Sequence, residues 1–225
     1  MPLLGTAAVA MWWDIAPALR SEFEDCHSHE HFPERMSIPG FRRGSRWANE
    51  DGGGGFFVLY ELEAYETLTS PHYLARLNDP TPWSTKMMPH HRNMVRSQCR
   101  ILDSFGGGVA RLMLTLRFSP AEGRADALHH NLKPFLARLP TLPGLTGAHL
   151  LRTETPDAPA TTEQMIRGGD ATADWVLLVS GYDSEAFKQV MEAEPGTTAL
   201  EQFGALPSPA ASLYALSYAL TPSDL

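Results

Sequence analysis

Cysteine is scarce in this chain, and the cysteines that occur do not form a metal-binding or redox motif. The 225 residues include only two, Cys26 and Cys99, far apart and without a CxxC spacing. This pattern argues against a disulfide framework and against a zinc knuckle. A reducing compartment, and hence a cytoplasmic protein, is the simplest prediction.

Long apolar runs and basic clusters are lacking too. No apolar segment approaches the ~18 residues that a membrane span needs. Residues 1–10 are mildly apolar, but they have no preceding basic residue and no cleavage site of a signal peptide. The net charge is −8, and Arg42, Arg43 and Arg46 do not form an uninterrupted basic run. We therefore expect neither nucleic acid nor a membrane as a partner.

What is present is the composition of a globular protein and an internal repeat. Hydrophobic residues make up 43% of the chain and charged residues 20%, which suits a protein with a real core. Two similar series of elements follow one another. The first has strands at 8–15, 41–48, 56–63 and 97–105, helices at 17–36 and 71–78, an irregular helical segment at 82–94, and a glycine-rich turn at 49–55. The second has strands at 110–118, 145–153, 175–180 and 212–220, helices at 121–139 and 184–193, and a polar surface loop at 154–174.

Each half therefore has the order β-α-β-β-α-β of a ferredoxin-like unit. Such a unit covers one sheet face with its helices and leaves the other face bare, so two units are expected to pack sheet to sheet. We predict an α+β fold in which tandem ferredoxin-like repeats form a pseudo-two-fold barrel. Residues 1–108 form the first repeat, which carries the site, and residues 109–225 form a mainly structural second repeat.

One short stretch concentrates the titratable chemistry. The run His27-x-x-Glu30-His31-x-Pro33-Glu34-Arg35, followed by Pro39-Gly40-Phe41 and Arg46-Trp47, resembles EthD-like members of the dimeric α+β barrel superfamily. The resemblance covers residues 9–105; the second half resembles the superfamily only in its order of elements. It implies a pocket between sheet and helices, in a superfamily that includes cofactor-free monooxygenases, isomerases and haem proteins.

The spacing of the histidines on the first helix places two of them on its buried stripe. Leu19, Phe23, His27 and His31 follow one another at intervals of four residues, whereas His29 points away. Glu30 lies beside the stripe. The corresponding positions of the second half hold Asn131, Phe135 and Pro134, so the polar cluster belongs to the first half alone. We predict His31, Glu30 and His27 as catalytic residues for proton transfer.

Four further side chains are predicted to bind substrate. They are Arg46 and Trp47 on the second strand, Tyr60 on the third, and Trp83 after the second helix. An inward-facing Arg46 needs an anion, which Glu30, Glu34, Glu61 or a substrate carboxylate would supply.

Two other interpretations of the histidines stay open. His27 and His31 are either core histidines bonded to neighbouring groups or, at i and i+4, a pair of ligands to one ion. The sequence shows no obvious second pair of ligands to complete such a site, and we predict no metal. A haem would need an axial histidine, for which His31 or His90 would serve, but no cofactor is predicted. In the pairs His90-His91 and His129-His130 at most one member faces inward, and a solvated surface is expected.

These patterns predict a cofactor-free enzyme of the isomerase, dehydratase or monooxygenase type. Its partner would be a small hydrophobic or oxygenated molecule. The alternatives are a non-catalytic ligand-binding or accessory protein of a catabolic pathway, and a haem- or metal-dependent enzyme. Homodimerisation through the outer surfaces is compatible with this arrangement.

Overall fold

The computed structural model describes residues 3–50, 53, 55–192 and 197–225, and its strands form one closed antiparallel barrel. The order around the barrel is β1-β3-β2-β8-β5-β7-β6-β4. Each half contributes its strands in the order fourth, first, third, second, which is the ferredoxin-like arrangement. The predicted fold class is confirmed. The strands are β1 (Ala7–Asp14), β2 (Phe41–Asn49), β3 (Gly55–Leu62), β4 (Arg92–Gly106), β5 (Leu112–Phe118), β6 (Leu145–Thr153), β7 (Trp175–Gly181) and β8 (Ala210–Leu220).

The helices lie between these strands. They are α1 (Arg20–Cys26), α2 (Phe32–Met36), α3 (Pro71–Asn78), α4 (Pro82–Met87), α5 (Ala125–Arg138), α6 (Thr162–Arg167), α7 (Ser184–Glu192) and α8 (Thr197–Phe203). A π turn at His27–His31 joins α1 to α2. None of the helices that the structure describes combines the length and apolar composition required to cross a membrane.

Contacts between Cα atoms divide the chain into two compact units. One unit contains Leu4–Arg100, Glu154–Thr172 and Ser217–Leu225, and the other is built mainly from Ile101–Thr153 and Ala173–Leu216. The repeat boundary near residue 108 stays a prediction. In the predicted glycine-rich turn, residues 51, 52 and 54 lie outside the described residues, as does residue 193 at the end of the predicted helix 184–193.

Strand β1 is apolar on both faces because both are covered. Val9, Met11 and Trp13 belong to the core that packs against the helices of the same unit. Ala8 and Trp12, on the opposite face, are buried as well. A strand that is covered on both sides reads as a continuous apolar run, and the prediction of a buried strand here is confirmed.

A β-bulge in β2 changes which side chains share a face. The register shifts between Phe41 and Arg43, so one extra residue is accommodated there. Phe41 packs against Tyr60, with ring centroids 5.7 Å apart. Trp47 instead stacks on Phe57 at 5.4 Å, and this neighbour points to the opposite face of β3. Strict alternation along residues 41–48 predicts that Phe41 and Trp47 share a face, and the bulge makes this prediction wrong.

The first helix ends at Met36, as predicted, but it is not α-helical throughout. The backbone N–H of Phe32 donates to the carbonyl of His27, five residues earlier, which defines the π turn. Pro33 has no N–H for the carbonyl of His29, four residues before it, and this is a local reason for the departure from α geometry.

Two other sequence predictions are corrected by the structure. The helical segment predicted at 82–94 ends as a 3₁₀ turn at His90, and β4 already begins at Arg92. The polar segment 154–174 is not a simple surface loop. It contains α6, whose N-terminus is capped by a reciprocal pair of hydrogen bonds between Thr161 and Gln164. Its residue Glu163 is only 4% exposed.

Candidate functional site

A cavity lies between the sheet and the helices of the unit that contains β1. About 600 Å³ of empty space lies between these walls, with the open solvent at its mouth included. Its apolar wall comes from β1 and from the helices around it. Residues of this wall are Val9, Met11, Trp13, Phe23, Leu77, Met87 and Met88.

His27 and His31 both line this cavity, as the helical spacing indicates. Their rings are stacked, with centroids 4.8 Å apart and planes inclined by 13°. In an α-helix, residues four apart are offset by about 40° around the axis. A π turn has more residues per turn, so it brings the two imidazoles more nearly above one another.

The cavity environment favours neutral imidazoles. Burial lowers the pKa of His27 well below its usual value, and the neighbouring His31 and Arg46 act in the same direction. Burial also lowers the pKa of His31, with a further contribution from the positive charge of Arg35. At neutral pH both rings are therefore uncharged and able to accept a proton.

The Glu30 carboxylate forms its hydrogen bond with Thr81 and not with the His31 ring. It accepts a hydrogen bond from Thr81 Oγ1 at 2.5 Å, and no hydrogen bond joins it to His31 in the described part of the chain. His31 Nδ1 lies 3.4 Å from Ser84 Oγ. The hydroxyl of Thr81 also accepts from the backbone N–H of Ser84. Glu30 is therefore linked to Ser84, the partner of His31, only through Thr81, the N-cap of α4.

Of the four predicted substrate-binding residues, Tyr60 lines the cavity and the other three do not. Arg46 donates to the hydroxyls of Ser28 and Ser217 and to the backbone carbonyl of Glu24. Its hydrogen-bond partners are therefore neutral groups, and the prediction that Arg46 binds an anion finds no support in these contacts. Trp47 lies on the other face of the sheet because of the bulge in β2. Trp83 is half-buried beside the core.

Several residues of the cavity were not predicted from sequence as site residues. His91 stacks on Trp13 at 4.9 Å, although a solvated position is expected for its pair. Burial lowers the pKa of His91 to about 3. Arg35, Arg96, Glu163 and Arg167 also line the cavity. For Glu163 and Arg167 a signal is present in the sequence. The capping box that precedes Met165-Ile166 indicates a helix with an apolar side.

Glu163 lies at the centre of a buried ion-pair network. Its carboxylate accepts from Arg35 Nη2 and lies 3.5 Å from Arg167 Nη1. Arg167 also binds both carboxylate oxygens of Asp170, at 3.0 and 2.8 Å. The 154–172 segment therefore supplies charged groups to a cavity whose other walls come from residues 9–96.

Unpartnered polar atoms are concentrated around this cavity. Six buried side-chain atoms that line it have no hydrogen-bond partner within the described protein. Buried donors and acceptors normally have partners, since each unmet one costs about 1–3 kcal/mol. These atoms are Trp13 Nε1, His27 Nδ1, Arg35 Nη1, Tyr60 Oη, His91 Nδ1 and His91 Nε2.

The described residues do not provide a set of metal ligands at this cavity. Within residues 3–50, 53, 55–192 and 197–225, no three His, Cys, Asp or Glu side chains converge as metal ligands do. The stacked geometry of His27 and His31 also sets the two rings face to face instead of directing them at a common point.

Comparison with known proteins identifies the fold. No family model matches this chain, and no curated protein matches it. Solved structures do match. The structure of an anthrone oxidase-like protein aligns with a TM-score of 0.69 and 11% identity, over 98% of this chain and 95% of the other.

Two putative monooxygenases align comparably. The protein from Fusobacterium nucleatum has a TM-score of 0.63 and 6% identity, over 96% of this chain and 95% of its own. The protein from Lactobacillus acidophilus has a TM-score of 0.59 and 12% identity, over 97% of each chain. At these identities the likeness concerns the fold. This chain has a closed ferredoxin-like barrel fold.

Proposed function

We propose that this chain is an EthD-like, cofactor-free enzyme that removes a proton from a compact, largely apolar carbonyl or phenolic compound. One observation carries the proposal: six unpartnered buried polar atoms surround one mostly apolar cavity. A ligand with an apolar body and a few oxygen atoms would satisfy these atoms, whereas a purely apolar ligand would leave them unpaired.

The stacked histidines are the proposed bases. Both are uncharged at neutral pH because burial lowers their pKa. If Ser84 Oγ accepts from the Nδ1–H of His31, the Nε2 atom of this ring carries the free lone pair. It would take a proton from a carbon next to the substrate carbonyl, and the electron pair would move onto the carbonyl oxygen. With a phenol it would take the hydroxyl proton, and the electron pair would stay on the phenolic oxygen.

Two free donors on residues that line the cavity would stabilise the resulting anion. Arg35 Nη1 and the Tyr60 hydroxyl are unpartnered, and burial raises the pKa of Tyr60, so its proton is retained. Hydrogen bonds to a developing oxyanion are the largest single contribution in many enzymes. In this proposal Glu30 is a positioning residue, because it acts through Thr81 and α4 and not by contact with substrate.

Formation of such an anion is shared by isomerases, dehydratases and cofactor-free monooxygenases. The names of the structural neighbours favour the last type. In that case the anion of a CH₂ group next to a carbonyl reacts with O₂. One oxygen atom becomes the new C=O, and the other leaves as water with the two hydrogens of the CH₂ group.

The test is hydrogen exchange followed by proton NMR in D₂O, with O₂ uptake measured in parallel. The substrates are anthrone, 2-tetralone and phenylpyruvate, which all have acidic C–H bonds next to a carbonyl. We expect enzyme-catalysed exchange that falls by about 10²–10⁴-fold in His31→Ala. The control is His29→Ala, since His29 is exposed on the same turn, and its rate should equal that of the wild type.

Two outcomes contradict the proposal. Exchange at the buffer rate with all three compounds would remove it, as would equal rates in the wild type and His31→Ala. Saturable binding of these compounds without exchange would favour the non-catalytic binding protein instead.

A further inference from the structure

We propose that the ligand of this cavity is an organic monocarboxylate, held by Arg96 together with the free Nη1 of Arg35. This inference rests on the proposed function, because it takes the same cavity as the substrate site. It adds the chemical class of the substrate: an apolar body that carries one carboxylate.

The charges around the cavity do not balance. Three guanidinium groups line it, those of Arg35, Arg96 and Arg167. Among the described residues, two carboxylates form hydrogen bonds with them: Glu163 bridges Arg35 and Arg167, and Asp170 binds Arg167. One positive charge is therefore left over.

Among the described residues, one further carboxylate lies next to these cations. Glu34 forms an ion pair with Arg35 at 3.7 Å, but it also pairs with the exposed Arg76 at 3.0 Å. The charge of Arg76 balances that of Glu34, so the excess remains. The histidines that line the cavity are neutral at pH 7, because burial lowers their pKa.

Within the part of the chain that the structure describes, Arg96 is the cavity cation that has no ion pair with a carboxylate. It is 7% exposed, and its hydrogen bonds go to neutral groups, Gln98 Oε1 at 3.1 Å and the Tyr73 hydroxyl at 2.9 Å. A buried cation is costly unless an anion compensates it. The Tyr73 ring also lines the cavity, so an anion bound there would lie beside the guanidinium.

Arg35 supplies the second feature, a buried donor that is free. Its Nη2 atom binds Glu163, but its Nη1 atom has no hydrogen-bond partner within the described protein. Guanidinium N–H groups match carboxylate oxygens in geometry and charge. With one unbalanced positive charge in the cavity, a ligand with a single carboxylate fits better than a neutral compound or a dianion.

The remaining wall selects an apolar body for this acid. Leu77, Met87 and Met88 face the same space, and methionine side chains adapt readily to irregular ring systems. An aromatic or alicyclic monocarboxylate meets both requirements, whereas an inorganic anion would leave this apolar wall uncovered.

The experiment compares acids with their amides, which have nearly the same shape but no charge. The pairs are benzoate and benzamide, 1-naphthoate and 1-naphthamide, and cyclohexanecarboxylate and its amide. Dissociation constants are measured by isothermal titration calorimetry at pH 7.5. We expect at least one acid to bind tenfold or more tightly than its amide. If every acid binds no better than its amide, or none binds, the inference is overturned.

Two variants locate the charge that is responsible. Arg96→Gln should weaken binding of the preferred acid at least fivefold and leave its amide unchanged. The control is Arg100→Gln on the same strand, whose side chain is 40% exposed and pairs with Glu154 outside the cavity. Arg35→Lys keeps the charge and the pair with Glu163 but lacks the forked group, and it too should weaken the acid selectively. Equal losses for acid and amide in both variants would contradict the inference.

Failure here and failure of the proposed function can be told apart. The hydrogen-exchange test includes the neutral 2-tetralone and the anionic phenylpyruvate. If both exchange at equal, His31-dependent rates, the proposed function stands and the monocarboxylate is ruled out. If the exchange rates of both compounds do not depend on His31 while the acids bind tightly, the monocarboxylate ligand stands and the proposed function is ruled out.

Discussion

The imidazole rings of His27 and His31 stack at 4.8 Å, almost parallel. Two rings in this contact repel each other when both are charged, so protonation of one opposes protonation of the other. A third ring, that of His91, lines the same cavity. These three imidazoles take up protons less readily in the folded state than in the unfolded chain, so the free energy of unfolding depends on pH.

We expect the free energy of unfolding to fall as the pH drops below about 6.5, the usual pKa of an unfolded-chain histidine. The unfolded chain takes up protons there, whereas the folded protein does not until its lowered pKa is reached, which for His91 is about 3. Each such histidine contributes up to about 1.4 kcal/mol per pH unit.

Urea unfolding between pH 4.5 and 6.5 measures this slope. In His91→Phe, whose ring can still stack on Trp13, the slope should decrease by up to about 1.4 kcal/mol per pH unit. The exposed His29 provides the control, and His29→Gln should keep the wild-type slope. An unchanged slope in His91→Phe would show that this ring is protonated in the folded state as readily as in the unfolded one.

The buried pair of Arg35 and Glu163 should be costly to break from one side. Their side chains are 3% and 6% exposed, so Glu163→Leu leaves a buried cation without its partner. We expect a loss of about 3–5 kcal/mol in the free energy of unfolding. Arg35→Met combined with Glu163→Leu should recover most of it.

A double-mutant cycle in urea measures this coupling. Glu154→Gln is the matched control on the same segment, since its pair with Arg100 is about 40% exposed on each side, and it should cost no more than about 1 kcal/mol. Additive losses for Arg35 and Glu163 would mean that the two side chains do not interact.

Gly44 on β2 should not tolerate a methyl group. A Cβ atom there would come within 2.6 Å of the Phe32 ring and 2.9 Å of the Tyr60 ring. Gly44→Ala should therefore lower the free energy of unfolding by about 1–3 kcal/mol through overpacking. Gly53→Ala, whose Cβ would have Asn49 at 3.7 Å as its nearest contact among the described residues, should stay within about 0.5 kcal/mol of the wild type. Thermal or urea unfolding of both variants decides the point.

The Cys26 thiol should be inert in the folded protein. Burial raises its pKa to about 12, and Cys99 is buried as well. We expect no reaction with a thiol reagent such as DTNB at pH 8 in native buffer, and two thiols per chain after denaturation. Rapid labelling of one thiol in native buffer would contradict the position of that residue.

The sequence predicts the elements of this protein better than the site between them. The interval of four residues from Leu19 to His31 indicates one buried stripe, because helical periodicity depends on local spacing alone. The same periodicity cannot show the π turn, which depends on which backbone hydrogen bonds form around Pro33. The stacking of His27 on His31 is therefore outside the reach of spacing arguments.

Contacts between distant parts of the chain are harder still to predict from the sequence. Arg35 and Glu163 are 128 positions apart, and the composition of 154–174 resembles that of a surface loop. The bulge in β2 has a similar effect over a shorter distance. One extra residue reverses the faces of the strand, and alternation alone then assigns Trp47 to the wrong side.

The wide turn at His27–His31 differs from an α-helical turn by a single residue. Deletion of Ser28 would leave the right number of residues for a regular helix, and α1 and α2 would keep their relative rotation, because a π turn accommodates one extra residue. Arg35 and Phe32 would stay in place, but His27 and His31 would be three residues apart and offset by about 60° around the helix axis instead of stacked. The contact between the two imidazoles therefore depends on a one-residue insertion, a change that one small mutational event can introduce or remove.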